Sequence, residues 1–172
     1  MADNAGKING KVFWKLIEQS LKSSNGNKDK QVQALKQALS AYSRTDLLTF
    51  ITIYTDHIYR ANQWHLWTAS ELINGKSDED SFEQFRDWLV SKGQRTYQDA
   101  LKEPETLVGL AKPGEALFPA LRTLGRQVYI EKFQSKPPYQ VRHKPKRRGV
   151  PYEGDPADKY PKLKSWLDQQ TP

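Results

Sequence analysis

Apolar residues in this chain return every three or four positions in one segment after another, and almost never every second position. A helix buries such a stripe on one face, whereas a half-buried strand requires alternation. The pattern predicts an all-α fold, a compact multi-helix domain, followed by an extended, proline-rich C-terminal arm. Phe13, Leu16, Ile17 and Leu21 stripe a helix over 11–22. Val32, Leu35, Ala38 and Leu39 stripe a second over 28–41. Leu47, Phe50, Ile51, Tyr54 and Ile58 give a third its wide apolar face, with Ser43 as its cap and Asp46 completing a capping box. A fourth runs over 64–73 and stops at Asn74-Gly75.

Ser77-Asp78-Glu79-Asp80 is a strong start signal, with Ser77 as cap and Asp80 reciprocating. Phe82, Phe85, Trp88 and Leu89 follow on one face. A further helix covers 94–102, and Pro104 suits the first position of a short one. The last long helix is expected from Pro113 or Glu115 to Phe133, with Pro119 in its first turn or delaying its start. Residues 127–131 are a weak strand candidate. Six prolines between 136 and 161 make a poor helix sequence and an extended arm there, and Leu163, Trp166 and Leu167 suit a short anchoring helix. The organisation read from this is a helical core over 10–135 and a basic arm with its anchoring helix over 136–172, both in one domain.

The 172 residues suffice for a core without disulfides, and five tryptophans, eight tyrosines and six phenylalanines can supply much of it. With no cysteine, a thiol nucleophile or a cysteine-held metal is excluded. There is no signal-peptide pattern and no stretch approaching a membrane span, so the expected location is the cytoplasm and no membrane partner is expected. The net charge of +7 lies wholly in residues 112–172, where 13 basic residues face 6 acidic ones; residues 1–111 balance at 14 each.

The basic excess peaks at Arg142, Lys144, Lys146, Arg147 and Arg148, interrupted by His143 and Pro145 and flanked by Tyr139 and Tyr152. An extended, aromatic-flanked basic run suits phosphate contacts and base stacking, an acidic protein surface, or a solvated loop. Trp64, Trp67 and Trp88 are read as core, or as a stacking surface if one is exposed. Asp56, Tyr59 and Arg60 share a helix face, and His57 stands beside them. That group suits either a buried polar network or acid–base work. Asp78, Glu79 and Asp80 oppose the helix dipole, although carboxylates also hold divalent ions or a basic partner. His57 and His65 are two turns apart, and no HExxH is present. No phosphate loop, nucleophile elbow or dinucleotide fingerprint occurs. No metal and no cofactor is expected.

The chain resembles a bacterial family of unknown function whose domain sometimes accompanies WGR domains. The landmarks are Phe13-Trp14-Lys15-Leu16-Ile17, Leu66-Trp67-Thr68-Ala69, Gly75 through Phe82, Phe85-Arg86-Asp87-Trp88-Leu89 and Lys92-Gly93 through Tyr97, with Gly149 through Glu153 and Tyr160 through Leu163 toward the end. The resemblance transfers no catalytic set. Its WGR association hints at a nucleic-acid setting, and it implies that Tyr152, Tyr160, Leu163 and Trp166 pin the arm to the helical body.

The functional expectation is a non-catalytic binding or adaptor protein whose basic surface contacts nucleic acid or an acidic protein. Arg142, Lys144, Lys146, Arg147 and Arg148 would make the anion contacts, and Trp64, Tyr139 and Tyr152 would stack or bury against the partner. A first alternative is an enzyme on a small anionic or nucleotide-like substrate, with Asp56, His57, Tyr59, Asp78 and Arg86 lining its cleft. A second is an inhibitor or immunity-type interaction module that exposes Trp64 or Trp166.

Overall fold

The computed structural model describes residues 6–76, 78–139 and 142–171. The described residues form nine α-helices and one 3₁₀ turn, with no named strand. The helices are α1 (Gly10–Ser24), α2 (Lys28–Leu39), α3 (Arg44–Arg60), α4 (Trp64–Asn74), α5 (Glu79–Ser91) and α6 (Gln94–Lys102). The 3₁₀ turn (Pro104–Leu107) follows, then α7 (Pro119–Phe133), α8 (Pro156–Lys159) and α9 (Pro161–Gln170). The all-α fold class follows directly, and residues 127–131 are helical within α7. No helix among the described residues is long and apolar enough to cross a membrane.

Local chemistry sets most of the boundaries. Asn9, Asn27 and Ser43 each take an amide of the first turn they precede. Asp46 does not close the predicted box onto the Ser43 amide. Its carboxylate accepts the Ser43 hydroxyl at 2.6 Å and the Ile8 amide at 3.0 Å, tying the N-terminal segment to α3. Gly75 ends α4 at φ 66°, a left-handed geometry that glycine adopts without strain. Asp78 caps α5 by accepting the Ser81 amide, which displaces the expected box by one residue; Ser77 lies outside the described residues.

Pro119 delays the start of α7, one of the two roles expected of it, and for a tertiary reason. Residues ahead of Pro119 spend their backbone groups on other elements. The Gly114 amide bonds the Ile73 carbonyl at 2.9 Å, the Ala116 amide bonds the Asn74 side chain at 3.1 Å, and the Phe118 amide bonds the Gln84 carbonyl at 3.1 Å. Helix begins only where Pro119 needs no intrahelical donor.

Helix α5 is the central element. It packs against α1, α3, α4, α6 and α7, and its residues from Ser81 onward are buried apart from Glu83 and Gln84. Phe13, Trp14 and Ile17 of α1, Leu47 and Phe50 of α3, Leu66 of α4 and Leu121 and Leu124 of α7 close a single apolar cluster around it. The same cluster includes Tyr160, Leu163 and Leu167, so the chain's end is part of the core. Tyr160 donates to the His65 carbonyl at 3.0 Å, and the Trp166 indole donates to the Ala111 carbonyl at 2.7 Å. Tyr152 is less engaged: it stays 39% exposed, with its ring over Gly154.

Candidate functional site

The arm after α7 runs back across α3, α5 and the start of α4, and its cations meet carboxylates of this same chain. Arg142 pairs with Asp56 at 2.5 Å and donates to the Thr52 carbonyl at 3.0 Å. Lys144 reaches Glu79 at 2.9 Å and Glu83 at 3.3 Å, in the first turns of α5. Arg147 is held most tightly. It pairs with Glu79 at 2.6 Å, bonds the Asn62 side-chain oxygen at 3.0 Å, and lies 4.6, 4.1 and 4.9 Å from the ring centres of Trp64, Trp67 and Phe82. Burial alone would raise the Glu79 pKa, but the bonds from Lys144 and Arg147 outweigh it and hold that carboxyl below its usual value.

The backbone completes the attachment. The Arg148 amide donates to Asn62 at 3.0 Å and the Trp64 amide to Arg148 at 2.9 Å, which makes an isolated parallel bridge between Gln63 and Arg148. The Asn62 amide nitrogen adds a bond to the Pro145 carbonyl at 3.1 Å. Extended backbone sends alternate side chains to opposite sides. Arg147 points into the body, while Lys146 and Arg148 are exposed and have no carboxylate partner among the described residues. Val150 follows at 80% exposed. His143 is also exposed, and so is Arg60 at the end of α3; both Arg60 and Arg148 act electrostatically on the Tyr97 hydroxyl.

The aromatic candidates divide. The Trp64 ring packs edge-on to Trp67 and is covered by Arg147, so its face is taken by the chain itself. Trp88 is core, at 3% exposed. Tyr139 stands 86% exposed, whereas Tyr152 has the Lys159 ammonium 5.1 Å from its ring centre.

Asp56, His57, Tyr59, Asp78 and Arg86 do not converge on one cavity. Asp56 is spent on Arg142, and Asp78 is an exposed cap. His57 sits among Phe13, Trp14 and Tyr97, with its Nδ1 buried and unpartnered. Burial and the nearby Arg60 lower its pKa to about 4, against the opposing pull of Asp56. Arg86 is 1% exposed, stacks on Phe82 and donates to the Phe82 and Ile58 carbonyls. Tyr59 lines a cavity that the other four do not line. Among the described residues no cluster of histidines and carboxylates is arranged to hold a metal ion.

That cavity is a groove of about 380 Å³ between α3 and α7, bordered by Pro137, Pro138, Tyr139 and Arg142. The helices touch closely at Gly125: a Cβ there would stand 3.0 Å from Ile51 and 3.2 Å from Phe50, so those side chains would have to shift to admit it. Beside that contact lies a charged network that sequence reasoning missed. Asp87 is fully buried. It accepts the Tyr54 hydroxyl and two Arg122 bonds, at 3.0 and 2.7 Å, while Arg122 also reaches Glu83 at 2.6 Å. Burial pushes the Asp87 carboxyl up to about 6, against the pull of Arg122 and Tyr54. The available signal was an Arg86-Asp87 pair set between Phe85 and Trp88 of the apolar stripe of α5.

No curated protein and no solved structure matches this chain. One family does, over residues 9–131, which takes in α1 through most of α7 and stops short of the arm. The chain therefore belongs to DUF4240, a family of proteins of unknown function.

Proposed function

We propose that this chain is a non-catalytic binding protein that docks an acidic protein surface on the outward face of its arm. The observation that carries the reading is the split within one short run: Arg147 is anchored in the body, while Lys146 and Arg148 on either side of it project to solvent without a counter-charge among the described residues. An ordered backbone lowers the entropy lost on docking. Exposed Arg60 lies close by, and Val150 adds an apolar contact on the same extended stretch. A few fixed cations around an apolar side chain match the rim and centre of a protein interface.

A polyanion would call on a longer row of free cations and open aromatic faces. Arg142, Lys144 and Arg147 are already committed to Asp56, Glu79 and Glu83, and the Trp64 face is covered. These facts favour the protein partner over nucleic acid.

Affinity capture from native cell extract, with and without nuclease, tests the reading. The expected result is one polypeptide retained through nuclease treatment and lost from an R60E/K146E/R148E triple variant. It should also be lost near 1 M salt, where screening acts within about 3 Å. Retention that disappears with nuclease overturns the reading in favour of nucleic acid.

A further inference from the structure

We infer that the groove between α3 and α7 is a binding site for a small amphipathic anion, with an aromatic or branched apolar body and one carboxylate, sulfonate or phosphate group. The inference is independent of the docking face on the arm, because it rests on a different cavity and a different cation.

The groove's volume of about 380 Å³ lies within the range of small-molecule sites. Its walls are largely apolar, with Leu48, Ile51, Ile58 and Leu121 among them, so an apolar body gains by leaving water there. The charged lining, Glu83 with Arg122, Arg126 and Arg142, decides the charge of the ligand, and Glu83 is neutralised by Arg122 and Lys144. Arg122 is satisfied by Asp87 and Glu83, and Arg142 by Asp56. Arg126 also lines the groove, is exposed, and has no carboxylate partner among the described residues. A neutral ligand would leave that guanidinium unused, and a cationic one would be repelled by it. An anionic group gains a charge-assisted hydrogen bond there, and a planar oxyanion can take two. Tyr59 lines the same groove.

The groove also has a rigid floor. Tyr54 lines it and is fixed by Asp87, and Arg122 is fixed by three bonds to two carboxylates. Such support holds a pocket's shape before ligand arrives, which limits the ordering cost of binding.

Fluorescence titration of the full chain with 8-anilinonaphthalene-1-sulfonate tests the site, with neutral N-phenyl-1-naphthylamine as the uncharged counterpart. The expected result is saturable binding of one sulfonate dye per chain. Arg126→Ala should weaken that dye by about tenfold or more, the scale of one charge-assisted bond, and leave the neutral dye within about twofold. Thr55→Trp, which fills the groove from the α3 side, should abolish both, with circular dichroism checking that each variant keeps its helical content. Failure of the sulfonate dye to saturate would overturn the inference. So would sulfonate binding indifferent to Arg126→Ala, or binding of either dye that survives Thr55→Trp.

Discussion

His57 and Asp87 are single residues whose burial works in opposite directions with pH. The unfolded histidine titrates near 6.5, whereas the folded one holds out to about 4. Between those values the unfolded chain binds the extra proton, so the His57 contribution to stability falls as pH falls. Asp87 behaves in the opposite sense. Its folded carboxyl takes a proton near 6 and its unfolded one near 3.9, so acidification through that window favours the folded state. His57→Phe removes the first effect and also the buried, unpartnered Nδ1. Urea midpoints should then rise at pH 5 relative to pH 7.5 by more than in the parent chain; an unchanged difference would contradict the assignment. Asp87→Asn removes the carboxyl titration, so the change in urea midpoint from pH 7.5 to pH 5 should be less favourable than in the parent chain, and an unchanged pH dependence would contradict the assignment. A double-mutant cycle with Arg122→Met should show a coupling of at least about 1 kcal/mol, where independent sites add.

At the scale of elements, Arg147 decides how the arm lies. Its flat guanidinium stacks on two indoles and still forks to Glu79 and Asn62, a combination an ammonium does not reproduce. Arg147→Ala should shift tryptophan emission to the red as Trp64 and Trp67 become wetter, and Arg147→Lys should restore little of the change. Full recovery with lysine would mean that charge alone seats the arm. Helices α1 to α7 and α9 were legible in the sequence, since each carries a local apolar stripe, whereas α8, which buries no residue, was not. What holds the start of α7 back to Pro119 was not legible either, because Gly114, Ala116 and Phe118 bond to residues 34 to 42 positions away. For the same reason the arm's charge run showed its sign but not its fate. Arg142, Lys144 and Arg147 find carboxylates more than 60 positions earlier, and no local pattern marks that pairing. The Asp87–Arg122 pair was hidden likewise: its two halves sit on separate helices, each within an ordinary amphipathic stripe.

For the molecule as a whole, the account ties the basic end of the chain to the core of the helical body. Leu163 is fully buried in the same apolar cluster as Phe85 and Leu66. Leu163→Ala should therefore lower overall stability by about 2–5 kcal/mol in a single transition seen by every probe. An early, separate melting of the C-terminal segment would instead make the arm an appendage. Charge balance at this scale follows from that attachment: Arg142, Lys144 and Arg147 are spent internally, and Lys146 and Arg148 remain exposed. The most direct test is amide hydrogen exchange at Trp64 and Arg148, the two amides of the bridge between arm and body. Strong protection is expected at both, approaching the slowest amides of α5. Exchange at Arg148 as fast as in an unstructured peptide would contradict it.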